Sequence, residues 1–253
     1  MFRHFIFVVA LLLGSPQLCW ALDIVTRDEW EPAKPIDKRE KDDAAKWREK
    51  QIKYLKKMEA IKSEREVRDN IEYEMPLRTG AVYLTLHATL EDFVGHLENG
   101  KPKKSRDKLT VKEKVQAYQK KMQEGYSFSR GKYYLFALPG DLPYNYIVLK
   151  DGNVAEGREY KYGPFSNTTY KTDMAKHITV VLEGKFDDEK LKGKQRDALL
   201  ELLAILAKAH DIDIENNFSF HQKVSKEHTS CPGTQVIADF KDLRTELKKA
   251  LKQ

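Results

Sequence analysis

Tyr144-Asn145-Tyr146-Ile147-Val148-Leu149-Lys150-Asp151-Gly152-Asn153-Val154-Ala155-Glu156 is the stretch on which the fold turns. An Asp-Gly pair between apolar runs is a tight-hairpin signal, because such turns need positive φ, which Gly, Asn and Asp adopt readily. Tyr144 to Leu149 is therefore a strand, and a short antiparallel strand follows it to about Glu156. Outward from this hairpin the pattern changes. His177 to Leu182 and Ala81 to His87 read as buried strands, and Tyr133 to Leu138 as another. Thr110 to Gln123 is an amphipathic helix with Thr110 as N-cap and Glu113 three residues on, a capping-box pattern. Asp188 to Ala209, rich in Leu, Ile and Ala, reads as an apolar helix packed on a sheet, and Ala238 to Leu251 as a terminal amphipathic helix. Strands alternate irregularly with helices and one connection is a hairpin. The expected class is α/β: a mixed central sheet flanked by helices, not a purely parallel one.

The periphery is more charged. Leu22 to Val25 is a short strand candidate. From about Lys38 to Arg68 the chain is dense in Lys, Arg, Glu and Asp, with Ala44, Trp47, Gln51, Leu55, Met58 and Ile61 at helical spacing. One long charged helix is expected there, within an insertion at about residues 36–72. It serves either as solvated cover or as a surface for a protein partner. Asn99 to Asp107 reads as a basic loop. The 253 residues are 41 % hydrophobic and 33 % charged, with a formal net charge of +6. That composition supports one large domain and suits an anionic partner such as a bacterial wall or a membrane face; no nucleic-acid partner is expected.

The first residues read as a targeting segment. Arg3 and His4 precede an apolar run, Phe5 to Leu13, too short to span a bilayer, and Ala21 ends a plausible cleavage site. Residues 1–21 are thus expected to be a secretory signal and residues 22–253 the working domain, exported to a periplasm or the extracellular space without a transmembrane anchor. Of the two cysteines, Cys19 leaves with the signal, so Cys231 is the lone thiol of the mature chain. It is either simply buried or held by a metal. His87 closes a buried strand, His221 follows Phe218 and Phe220, and Cys231 stands beyond a polar loop before Pro232-Gly233. Two imidazoles and a thiolate suit zinc and leave a fourth tetrahedral position open.

Several segments, taken in order, resemble the zinc amidases shared by peptidoglycan recognition proteins and phage amidase-type lysozymes. Ile24-Val25-Thr26-Arg27-Asp28-Glu29-Trp30 is similar to the family's opening strand and Arg-x-x-Trp element. Tyr83-Leu84-Thr85-Leu86-His87-Ala88-Thr89 resembles the strand ending in the first zinc histidine. Asp141-Leu142-Pro143-Tyr144-Asn145-Tyr146 resembles Asp-Ile-Pro/Gly-Tyr-His-Phe, and Asp151-Gly152-Asn153-Val154-Ala155-Glu156-Gly157-Arg158 the family's hairpin. His177-Ile178-Thr179-Val180-Val181-Leu182-Glu183-Gly184-Lys185-Phe186 is similar to Ser-Ile-Gly-Ile-x-Leu-x-Gly-Asn-Phe. Phe220-His221 with Ser230-Cys231-Pro232-Gly233 resembles the closing His and Cys-Pro-Gly.

The resemblance implies a zinc-dependent N-acetylmuramoyl-L-alanine amidase that cuts between muramic acid and the first alanine of the stem peptide. It implies His87, His221 and Cys231 as ligands of one zinc ion, and peptidoglycan or muropeptides as partners. Tyr144 matches the family's catalytic tyrosine, and Thr229 a position where relatives carry Lys or Thr. Packing alone would also explain an aromatic at Tyr144. Register within the His221–Cys231 loop leaves Lys226 and His228 as alternatives to Thr229. Val181 stands where some relatives carry a catalytic glutamate, which shifts weight onto Tyr144. Tyr162-Gly163-Pro164-Phe165-Ser166-Asn167 replaces the usual Gly-Ala-His segment and is expected to remodel the groove wall. His177 is expected to belong to a buried strand, and His96 and His210 to the surface. Non-catalytic relatives, which bind muropeptides without cutting them, typically lose the cysteine.

Overall fold

The structure is a computed structural model, and it describes residues 22–89, 109–130, 133–226 and 229–252. The segment 1–21, His96, the basic loop 99–107 and His228 lie outside the described residues. In chain order the elements are β1 (Ile24–Val25), α1 (Arg27–Trp30), α2 (Lys41–Lys57), β2 (Val67–Ile71), β3 (Tyr83–Thr89), α3 (Val111–Glu124), β4 (Tyr126–Arg130), β5 (Tyr133–Leu138), β6 (Tyr146–Val148), β7 (Val154–Glu156), β8 (His177–Glu183), α4 (Gly193–Ala209), α5 (Ile214–Asn217), β9 (Phe218–Phe220), α6 (His221–Val224) and α7 (Thr234–Ala250).

The central sheet runs β1-β7-β6-β8-β3-β9. Only β6 and β7 pair antiparallel; the other neighbours are parallel. The hairpin is the expected one: Gly152, at φ +90°, donates to the Leu149 carbonyl at 3.0 Å, and Leu149 N–H to that of Asn153 at 2.9 Å. Strand β3 is covered on both sides. Leu84, Leu86 and Ala88 face a core shared with α4 and α7, through Leu199, Leu202, Leu203, Phe240 and Leu247. The alternate residues Thr85 and His87 are equally buried. On the face they share, α3 packs over part of the sheet through Val115, Tyr118 and Met122, against Ile147, Ala155 and Val181. A strand buried on both faces accommodates polar side chains on one of them only if they are hydrogen-bonded or bind something. The α3 cap forms as the sequence indicates: Thr110 Oγ1 accepts from Glu113 N–H at 3.2 Å, and the Glu113 carboxylate accepts from Thr110 N–H at 2.8 Å.

The charged region departs from the expected single helix over Lys38 to Arg68. α2 ends at Lys57, and Glu59 turns the chain with φ +55°. Residues 64–66 make one 3₁₀ turn, and β2 then pairs parallel to β5, which pairs antiparallel to β4. Val67 to Ile71 is strand because a long-range partner supplies its ladder, which no local helical periodicity reveals. Ile61, which fitted the helical stripe, is buried from the loop after the helix, and Met58 is exposed. α2 seals this second sheet: Ile52 and Leu55 pack with Val67 and Phe136, and the Trp47 ring meets Phe136 edge-on at 5.7 Å.

Two buried ion pairs lock the parts together. Arg27 pairs with Asp141 at 3.0 Å. Arg158, just past the hairpin, holds Glu72, just past β2, through two contacts of 2.7 and 2.9 Å.

Candidate metal centre

Strands β3 and β9 run parallel with Leu86 opposite Phe220, so the next residues, His87 and His221, are neighbours. Their ring centroids are 4.5 Å apart. Cys231 returns from the loop after α6, and its carbonyl accepts from Gln222 N–H at 2.9 Å, which closes the loop on the helix. Gly233 holds the following turn at φ +108°; a Cβ there would sit 2.5 Å from the Phe186 backbone. The Cys231 Sγ lies 3.9 Å from His87 Nδ1, and the ligand atoms of His87, His221 and Cys231 all lie within 4.8 Å of one another.

This set fits zinc. Bonds of about 2.0–2.3 Å make a zinc tetrahedron with edges of roughly 3.3–3.6 Å, so the three atoms need to close by roughly an ångström. Two imidazoles and a sulfur are the donors zinc accepts. His87 Nε2 is buried and makes no hydrogen bond. Burial first, then His221 and His177, hold the His87 imidazole well below 6.5, hence neutral and able to ligate. Burial pushes the Cys231 thiol up to about 12, against the opposing pull of the Ala88 amide, which donates to Sγ at 3.3 Å. A thiol in that setting loses its proton when a cation takes its place.

The Tyr144 ring lies 4.8 Å from that of His87, tilted by 45°. Its phenol is pushed well above 10, chiefly by burial and then by Tyr118, Cys231 and Tyr126, so it keeps its proton at neutral pH. Thr229 is tied to the metal loop: its Oγ1 accepts from Cys231 N–H at 3.1 Å, and its carbonyl accepts from Gln222 Nε2 at 2.8 Å. Lys226 is exposed at the start of the same loop. Val181 is fully buried, in register with His87 and with Ile147.

Several residues of the site escaped the sequence reading. Tyr118 and Tyr126 pack in one cluster with Tyr144, and neither was singled out from the sequence, where Tyr118 is one residue of an amphipathic helix. Thr85 and Ser219 stand opposite each other, each two residues before a histidine of the candidate centre. His177 is fully buried, as expected of its strand. Its Nδ1 shares a 2.7 Å hydrogen bond with Thr85 Oγ1, and its ring stacks on Tyr83 at 4.7 Å. His210 is half-buried and stacks on Tyr160. The segment replacing Gly-Ala-His and the residues after it form a strap tied at two points to the neighbours of Tyr144 and His221. Phe165 N–H donates to the Pro143 carbonyl, beside Tyr144, and Tyr170 N–H to the Val224 carbonyl, three residues past His221, both at 2.9 Å. Thr168, between them, is fully buried.

The chain matches the family model for N-acetylmuramoyl-L-alanine amidase over residues 81–234. Among solved structures it is similar to Drosophila PGRP-LB, at 17 % identity and a TM-score of 0.52, covering 87 % of this chain and 92 % of that one. It is similar to Drosophila peptidoglycan recognition protein SD at 17 % identity and 0.53, covering 87 % and 94 %. A tyrosine-to-phenylalanine mutant of Drosophila PGRP-LB in complex with tracheal cytotoxin matches at 16 % identity and 0.51, covering 86 % and 92 %. No curated protein matches.

Proposed function

We propose that this chain, which belongs to the N-acetylmuramoyl-L-alanine amidase family, hydrolyses the amide between N-acetylmuramic acid and L-alanine of peptidoglycan, with zinc held by His87, His221 and Cys231. The observation that carries the reading is the convergence of those three ligand atoms beside a protonated phenol. Zinc, when bound, supplies a Lewis acid for the amide carbonyl and an acidified water near neutral pH. The remaining work falls to the protein. Attack on the amide builds negative charge on its oxygen, and donors aimed at that oxygen lower the barrier. Tyr144 holds its O–H beside His87 for this purpose. Thr229 uses its oxygen to fix the Cys231 amide and keeps its own proton to donate. The Ala88 amide stabilises charge on sulfur. Export directed by the segment 1–21 puts the activity outside the cytoplasm.

A second reading is a module that binds muropeptides without cutting them; a mutant of one neighbour of this fold was solved in complex with tracheal cytotoxin. Retention of Cys231 and Tyr144 favours the enzyme. Zinc content of the purified protein, measured with a Cys231→Ser control, and mass analysis of defined muropeptides after incubation separate the two. Release of intact stem peptide by the wild type supports hydrolysis. Zinc-loaded protein that binds muropeptides and leaves them uncut overturns it.

A further inference from the structure

The second sheet and α2 form a lobe whose helix and first strand lie before residues 81–234, outside the family match. The inner side of α2 is spent on that sheet through Ile52 and Leu55, and Ala44 is buried on the same side. Its outer side has no partner among the described residues. At 100° per residue, Lys46, Lys50, Lys53 and Lys57 fall within about 60° of one another, opposite the buried seam, in a row about 16 Å long. All four are exposed. Asp42, Asp43 and Glu49 border the row toward its N-terminal end, and from Lys50 to Met58 the chain carries four lysines and no acid. Lys56 is spoken for by Glu64 at 3.3 Å, and Lys46 reaches Asp43 only at 3.9 Å. Lys50, Lys53 and Lys57 have no carboxylate partner among the described residues. Along one flank of this row stand Tyr54 and Met58, one helical turn apart and 57 % and 59 % exposed.

We propose that this face of α2 docks the protein on an anionic phospholipid bilayer. Four aligned lysines complement a plane of phosphates, and each basic residue near such a surface strengthens binding about 5-fold. A hydrated polyanion would satisfy the lysines but would leave Tyr54 and Met58 in water. A bilayer interface takes the Tyr54 ring at headgroup level beside the lysines, with Met58 farther round the helix at the edge of the contact. The attachment is peripheral: among the described residues no helix is long and apolar enough to cross a membrane. Docking by α2 would hold the enzyme beside the wall it is proposed to cut, yet it does not depend on that activity.

Co-sedimentation of the purified protein with vesicles of phosphatidylcholine, with and without phosphatidylglycerol, tests this. The protein is expected to sediment with the anionic vesicles, less so as salt rises. The Lys50→Gln/Lys53→Gln/Lys57→Gln variant should bind on the order of 100-fold more weakly. Tyr54→Ser/Met58→Ser should also bind more weakly while keeping the salt dependence. Equal binding to both vesicle types, unchanged binding by the lysine variant, or retention on wall sacculi with none on vesicles would overturn the proposal. Muropeptide cleavage by the lysine variant, measured in parallel on soluble substrate, is expected to match the wild type.

Discussion

Glu72→Gln is the substitution on which the coupling between lobe and site is most sharply tested. Arg158 is fully buried, and Glu72 is nearly so. The guanidinium spends Nε on the Leu142 carbonyl at 2.7 Å and Nη1 on that of Gly163 at 3.1 Å, and both Nη atoms on the Glu72 carboxylate. Gly140 N–H donates to the same carboxylate at 2.9 Å. Glutamine keeps the shape but removes the charge, and its amide nitrogen sets donor against donor. A buried cation left without its counter-ion costs about 3–5 kcal/mol. For a chain of this size that lowers the melting temperature by roughly 10 °C, at about 2–4 °C per kcal/mol. Replacing both partners by Met should recover only part of the loss: no charge then remains to be desolvated, but the Leu142 and Gly163 carbonyls and the Gly140 N–H lose their partners. The consequence reaches the site through Leu142, two residues before Tyr144, and Gly163, where the strap begins. Glu72→Gln is therefore expected to lower kcat while zinc content stays near one per chain. Thermal melts of both variants, with metal analysis, measure this. A Glu72→Gln melt within about 2 °C of wild type, or a double variant no more stable than the single, would refute the reasoning.

Tyr144→Phe should cut kcat about 10²–10³-fold, the usual effect of removing one oxyanion donor, with zinc content unchanged. Cys231→Ser should lose zinc and, with it, stability; chelation of the wild type should lower its melting temperature toward that of the variant. Removing the α3 cap by Thr110→Ala should cost about 1 kcal/mol in denaturant melts without altering zinc affinity. For pH, burial pulls His177 down to about 4, from 6.5 in the unfolded chain. Between those values the unfolded chain binds the extra proton, so stability is complete above about pH 6.5 and falls as pH drops toward 4, by on the order of 3 kcal/mol. His177→Gln should make that slope shallower in metal-free protein without abolishing it, because His87, also held well below 6.5 by burial, contributes in the same direction; an unchanged slope would show that His177 does not contribute.

What the sequence disclosed about the site follows from strand geometry. β3 alternates strictly, so a histidine at its end, out of phase with Leu84 and Leu86, had to lie on the opposite face from the main core. The Asp-Gly turn was legible because Gly152 itself carries the positive φ that the turn needs. Cys231 is the one cysteine among the described residues. Tyr118 and His177 were not, because a tyrosine in a helical stripe and a histidine in a strand look like core. Their relation to the metal centre is made by packing between α3 and the sheet, and by the Thr85 hydroxyl reaching the neighbouring strand.

The lobe shows the other limit. Val67 to Ile71 contains three polar residues among five, and its strand character comes from β5, more than sixty residues away in the chain. Helical spacing through Ile61 was satisfied by accident, since Ile61 is buried by the loop that leaves the helix and not by the helix itself. Local periodicity reports which residues share a face only while the chain stays in one element, and Glu59 ends that element without a glycine or proline to mark it. The same observation explains why the outer lysines stand out once the helix is shortened. With its true end at Lys57, the acids of residues 59–66 leave the helix, and Glu64 turns back to pair with Lys56 and Arg48 on the flanks. The row at Lys50, Lys53 and Lys57 is left uncompensated, which is the condition an anionic surface requires.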